Sequence, residues 1–146
     1  MKDVAEKVIT NILENMAFLF PEKIENEETE ITNEWNAEGF ELKFSGVNSG
    51  SVRMWIEISL ASSLAANMLG CDEPEVDPEK AFDAAKEILN IITGSLIIEL
   101  YGKKDIIKLD IPGKIDSSEK AMDIGSDDGI WFMVEDQKIL FIIKQN

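Results

Sequence analysis

The sequence predicts an α+β domain, a mostly antiparallel sheet with two long helices packed on one face. Three observations carry this. Residues 2–19 and 78–101 repeat apolar side chains at helical period. Residues 38–46 and 51–59 alternate apolar and polar side chains on either side of Val47-Asn48-Ser49-Gly50, the pattern of an antiparallel hairpin with one face in a core. Residues 129–134, GIWFMV, and 138–143, KILFII, are apolar throughout and flank Glu135-Asp136-Gln137, as expected of central strands buried on both faces.

In chain order, the first helix spans residues 2–19 and ends at Pro21. Its apolar stripe is Val4, Val8, Ile9, Ile12, Met16 and Leu19, and Asp3 and Glu6 lie where acids favour a helix start. This stripe is expected to lie against the 78–101 helix. Residues 22–37 are rich in Glu and read as a connecting loop with one weak edge strand. In the first hairpin Phe40, Leu42 and Phe44 share a face, as do Val52, Met54, Ile56 and Ile58, while Arg53, Trp55 and Glu57 lie on the other. Trp55 there fits either a subunit contact or a position under a loop.

A short Ala-rich helix covers residues 60–69 and stops at Gly70. The loop CDEPEVD leads to the long helix, with Asp77 as N-cap, Pro78 at the first helical position and Gly102 as the C-terminal stop. Asp105 to Ile111 reads as a strand stopped by Pro112-Gly113, and residues 117–123 as a further strand. Asp123, Asp127 and Asp128 form an acidic turn. Their spacing does not match a calcium loop, which needs ligands at alternate positions and a closing Glu.

Composition narrows the chemistry. The chain has 146 residues, 45% of them hydrophobic, enough for one domain spanning 1–146 with a real core. A net charge of −15 argues against nucleic acid and anionic membrane surfaces and favours a partner with a basic patch. There is no histidine, which removes histidine general bases, metal ligands and phosphohistidine chemistry together. The single cysteine, Cys71, excludes an internal disulfide and fits a reducing, cytoplasmic setting. The N-terminus is amphipathic and carries acids, unlike a signal peptide, and no apolar run is long enough to span a membrane.

The 78–101 helix carries the chemical signal. Phe82, Ala84, Ala85, Ile88, Leu89, Ile91, Ile92 and Leu96 fill an apolar arc about half the circumference wide. The remaining strip holds Asp83, Glu87, Asn90 and Gly94 in one row, flanked by Lys86, Ile97 and Ile98. Asn is a poor helix-interior residue and Gly costs about 1 kcal/mol relative to Ala, a loss with no packing return on an outward face. The bare pattern Glu-x-x-Asn decides little. With 18 Glu and 9 Asn, chance gives about one match, and Glu30 to Asn33 is a second one. The bland reading is a solvated helix face.

The fuller arrangement, Asp83, Glu87, Asn90 and Gly94 on one face with Pro112 after 21 intervening residues, resembles the signature of the CheC/CheX family of chemotaxis phosphatases. The opening VITNILENMAFLFPE is similar to the first helix of CheX-type domains. GVNSGSVRMWIEISLASSLAANMLG is similar to the family's hairpin, strand and short helix. One site rather than two places the likeness nearer CheX than CheC. The resemblance implies a phosphatase that hydrolyses the aspartyl phosphate of a CheY-like receiver domain in chemotaxis or two-component signalling. It implies no cofactor of its own, with Mg²⁺ belonging to the partner, and a homodimer joined through the sheets. Such a dimer would also cover the second apolar face of the 129–143 hairpin.

The chemistry of the row suits that task. Phosphoryl transfer to water depends on positioning and charge stabilisation. A neutral amide such as Asn90 can accept a hydrogen bond from water and donate another without repelling a phosphoryl group. Glu87, one turn earlier, suits pairing with a partner lysine, and Gly94 leaves room for a partner's backbone. Asp83 fits docking or a pair with Lys86, and Pro112 a structural role after its strand. Two other readings are weighed: a non-catalytic module that binds receiver domains, and a small acidic dimeric secretion chaperone.

Overall fold

The computed structural model describes residues 1–25, 35–104, 106–116 and 129–146. The expected strand at 117–123, the acidic turn at Asp123, Asp127 and Asp128, the Glu30–Asn33 match and Asp105 lie outside them. The described chain runs α1 (Lys2–Ala17), β1 (Glu22–Ile24), β2 (Ala37–Gly46), β3 (Gly50–Glu57), α2 (Ile58–Leu69), a 3₁₀ turn (Glu73–Glu75), α3 (Pro78–Tyr101), β4 (Ile107–Leu109), β5 (Gly113–Lys114), β6 (Gly129–Val134) and β7 (Gln137–Gln145).

The strands form one sheet in the order β1-β6-β7-β3-β2-β4, with β5 also pairing β2, and every described pairing is antiparallel. The architecture is the expected α+β one, the two long helices being joined by the expected short Ala-rich helix, α2, which packs beside α3. Side chains from α1, α2 and α3 meet Phe40, Leu42, Val52, Met54, Ile56, Phe132 and Phe141 of the sheet in the main core. Period-2 alternation puts all of these strand residues on the same side.

α3 forms as its ends dictate. The Asp77 carboxylate accepts from the Lys80 amide at 2.8 Å, Pro78 occupies the first turn, and the Gly102 amide (φ 81°) donates back to the Ile98 carbonyl. The buried residues of α3 include Ala81, Ala84, Ala85, Ile88, Leu89, Ile92, Thr93, Leu96 and Ile97. Phe82 and Ile91 are half-buried at the borders of this arc, and Ile97 belongs to the buried side rather than to the outward strip. Thr93 fits in the core because its hydroxyl donates to the Leu89 carbonyl at 2.7 Å.

Three expectations need correction. First, α1 stops at Ala17, before Pro21: Phe18 turns left-handed (φ 53°) and the Leu19 amide donates to the Leu13 carbonyl, a Schellman-type closure. Its buried line is Ala5, Ile9, Leu13 and Ala17, with Val4, Val8 and Ile12 packed at the margin and Met16 46% exposed. Second, β3 ends at Glu57 and passes straight into α2, so Ile58 is helical. Third, among the described residues of the 105–111 strand, ladder pairing runs over Ile107–Leu109.

The second apolar face of the sheet is covered within the chain. Trp55, Trp131, Leu140 and Ile142 are buried there with Ile115, and Ile24, Trp35 and Ala37 pack against them. Trp55 lies over Gly39, its cross-strand partner, where a Cβ would sit 2.5 Å from the indole nitrogen. Trp55 therefore takes the covered position of the two it fitted. The weak edge strand expected in the Glu-rich region is β1, paired to β6, and Lys23 on it bridges to Glu6 of α1 at 2.9 Å.

Candidate functional site

Asp83 and Glu87 are exposed on α3, while Asn90 and Gly94 are half-buried. The row therefore faces outward as the helical spacing predicts. The main core is on the opposite side of the helix, so α3 is a rigid base for the row. Neither Asp83, Glu87 nor Asn90 makes a side-chain hydrogen bond or ion pair with another part of the described chain. The Asp83–Lys86 pair entertained from the sequence does not form among the described residues. A carboxylate and an amide thus stand one turn apart, about 4.5 Å along the axis, with all their hydrogen-bonding capacity open.

Gly94 is informative. A Cβ built there would meet only Leu109 Cδ1, at 3.9 Å, which is ordinary van der Waals contact. The fold has room for alanine, and glycine in mid-helix costs about 1 kcal/mol. Among the described residues nothing requires the missing side chain.

One wall of the site was not visible in the sequence. Leu109 touches α3 at Gly94, and the Lys114 ammonium sits 5.0 Å from the centre of the Phe82 ring while pairing with Glu38 at 3.3 Å. Twelve helical residues separate Gly94 from Phe82, about 18 Å. Five extended residues separate Leu109 from Lys114, about 17 Å. The two ends of the 109–114 segment therefore lie near Gly94 and Phe82 of α3, with its middle, 110–112, between those ends.

That middle is a β-bulge. Phe44 pairs with Leu109, but Glu41 pairs with Gly113. Over this interval β2 advances three residues and the edge strand four. Because the Asp110 amide still donates to the Lys43 carbonyl, the extra residue falls at Ile111-Pro112. Ile111 is 85% exposed and Pro112 has no amide to offer a ladder. The structural role read for Pro112 from the sequence is thus a place in a bulge. The sequence signal that could have found the bulge is proline inside a strand pattern.

Clefts formed by described residues lie elsewhere. One is between β2 and the bulged edge, lined by Glu41, Lys43, Asp110, Ile111, Gly113 and Lys114. Another lies along α1 at Glu6, Lys7, Thr10, Asn11 and Glu14. A third lies at the β2–β3 turn, beside Ser45, Ser49, Gly50, Lys108 and Asn146. Among the described residues no group of three or more acidic or cysteine side chains could hold a metal ion, and no helix is long and apolar enough to cross a membrane. The row stands on the outside of a helix, so it suits chemistry on a group presented by another macromolecule.

The family model described as chemotaxis phosphatase CheX matches residues 40–135, more than half of the sequence, and the chain belongs to that family. Solved structures agree on the fold. Chemotaxis protein CheX from Vibrio vulnificus is 18% identical, with a TM-score of 0.74 over 99% of this chain and 95% of that one. The CheX of a CheX-CheY-BeF3-Mg complex from Borrelia burgdorferi is 17% identical, with a TM-score of 0.72 over 99% and 97%. FliY of Thermotoga maritima is more distant, at 14% identity and a TM-score of 0.55 over 94% of this chain and 83% of that one. No curated protein matches the chain. Family membership leaves the secretion-chaperone reading without support.

Proposed function

We propose that this protein hydrolyses the aspartyl phosphate of a CheY-like receiver domain in chemotaxis, with Glu87 and Asn90 as the catalytic pair and Asp83 and Gly94 as partner-binding positions. The observation that carries the reading is the exposed row itself, whose carboxylate and amide have no partners in the described chain. Family membership supports it, as does the similar fold of a CheX from Borrelia burgdorferi described in complex with CheY, BeF3 and Mg²⁺.

In the proposed reaction, water attacks the phosphorus atom of the partner's aspartyl phosphate. The bond from phosphorus to the aspartyl oxygen breaks, the aspartate leaves as a carboxylate, and inorganic phosphate carries away the oxygen of water. Asn90 holds the attacking water in line through its amide, a positioning role. Glu87 anchors a cation beside the phosphorylation site, which fixes register as the two surfaces close and exclude water. Asp83 adds negative charge along the same approach. Gly94 lets the partner's backbone come close. Mg²⁺ is placed in the receiver's own acidic pocket, and the reaction is placed in the cytoplasm, where receivers are phosphorylated.

A homodimer joined through the sheet is part of the same proposal. The apolar second face no longer argues for it, because it is covered within the chain. What remains in its support is that, among the described residues, the sheet ends at β1 on one side and β4 on the other. Light scattering giving a mass of one chain would remove the dimer.

The test of function is direct. A receiver domain is loaded with acetyl phosphate and Mg²⁺, the protein is added, and loss of phosphate is followed. Acceleration by catalytic amounts supports the proposal. Unchanged decay with every receiver that binds would leave the non-catalytic binding module as the correct reading.

A further inference from the structure

The face of the sheet turned away from the helices changes character along its strands. Cross-strand partners share a face, so the register sets Trp55 opposite Leu140, Arg53 opposite Ile142 and Ser51 opposite Lys144 on that side. On β2 the same side carries Glu41, Lys43 and Ser45, and Ser45 pairs with Lys108 of β4. At the Trp55 end this face is closed by the tryptophan cluster. Four residues along β3, at Ser51, it is polar, and Lys43, Lys108 and Lys144 around it are exposed. Lys43 and Lys144 flank Ser51 in one cross-strand row, and Lys108 stands beside Ser45 in the next row on that side.

Lys108 and Lys144 make no hydrogen bond or ion pair with the described residues, and Lys43 approaches Glu41 at 3.8 Å. The nearby carboxylates are otherwise engaged. Glu41 is held by Arg53 at 2.5 Å, and Asp110, which lines the same cleft as Lys43 and Lys108, accepts from the Ile111 amide at 2.9 Å. In a chain of net charge −15, three cations without close counter-ions on one open face are a concentration that composition does not predict. Edge protection accounts for Lys108 on β4. It does not account for Lys43 or Lys144, because β2 and β7 are inner strands of the sheet.

We propose that this cationic platform binds an acidic segment of a partner protein, in extended form and with carboxylates at alternate positions. The occupant follows from charge and spacing. Strands lie about 4.8 Å apart, so Lys43 and Lys144 are about 10 Å apart at the backbone. Lys108 is one strand over from Lys43 and two residues along, about 8 Å away. An extended chain carries same-side residues about 7 Å apart, and the flexible four-carbon lysine stems close the difference. Three alternate carboxylates thus meet three ammonium groups, with the Ser45 and Ser51 hydroxyls as donors between them. At physiological salt charges act over about 8 Å, so the platform attracts such a segment although the molecule as a whole is acidic. The contact lies across the sheet from the α3 row and stands independently of the reaction proposed above.

The test is fluorescence anisotropy of a labelled ESESE peptide titrated with the full chain, at about 50 mM and about 300 mM salt. Saturable binding that weakens about 10-fold between the two is expected. Lys43→Ser, Lys108→Ser and Lys144→Ser each weaken it, and the triple variant abolishes it. Lys7→Ser, at an exposed cation on α1, leaves it unchanged. All four positions are exposed, and matched thermal melts check that each variant is folded. The peptide EEESS, of equal charge and different spacing, binds several-fold more weakly. Absence of saturable binding to ESESE overturns the proposal, as does equal binding by the triple variant or by EEESS. Full displacement of ESESE by inorganic phosphate at matched ionic strength overturns it too, and makes the platform a phosphate site.

Discussion

At the scale of single residues, the informative positions are those the fold does not need. Gly94→Ala should stabilise the protein by about 0.5–1 kcal/mol in urea titrations, because α3 gains a better helix former and the new Cβ meets only Leu109 at contact distance. The same variant should dephosphorylate receivers less well, since the added methyl stands where the partner approaches. A change that raises stability while lowering activity separates a partner contact from a structural glycine. Asn90→Ala should leave the melting temperature nearly unchanged and reduce the chemical rate about 10²-fold or more in single-turnover assays. Glu87→Gln should instead raise KM and flatten the dependence of association on ionic strength. Equal kcat for N90A and the unmutated protein would remove Asn90 from the chemistry.

Among elements, α3 was the most legible because three local signals agree. A capping carboxylate, a proline at the first turn and a terminal glycine each act within a few residues, so periodicity had only to fill the interval. Asp77→Ala should cost about 1 kcal/mol by chemical denaturation, since the Lys80 amide loses its acceptor. α1 was read less well for a physical reason. Hydrophobicity ranks Met16 above Ala5 and Ala17, but close helix packing selects small side chains along the contact line, and the buried line runs through both alanines. Leu13→Ala on that line should cost 2–5 kcal/mol in the same assay, as a buried side chain with no slack around it. The β4–β5 bulge could not be read because it depends on register against β2, a pairing distant in sequence. The bulge leaves Ile111 85% exposed on that edge of the sheet. The turn between β6 and β7 shows the same dependence on pairing: Glu135 and Asp136 both take positive φ, as a two-residue hairpin turn requires, where sequence alone gave a polar interval.

For the molecule as a whole, the sheet separates two environments. The helical side carries the row and its apolar neighbours, and the other side is closed by Trp35, Trp55 and Trp131 with Ile115, Leu140 and Ile142. Doubly buried strands were legible in GIWFMV and KILFII, but what covers their second face was not, because composition does not say whether a loop or a second subunit supplies it. The three tryptophans are all that the chain possesses, and all lie on the side away from α3. Intrinsic emission from this protein is therefore a reporter of one face only. It should shift when the domain unfolds, yet stay silent when a tryptophan-free ligand settles on the helices, so a single fluorometer can score integrity without being confounded by occupancy.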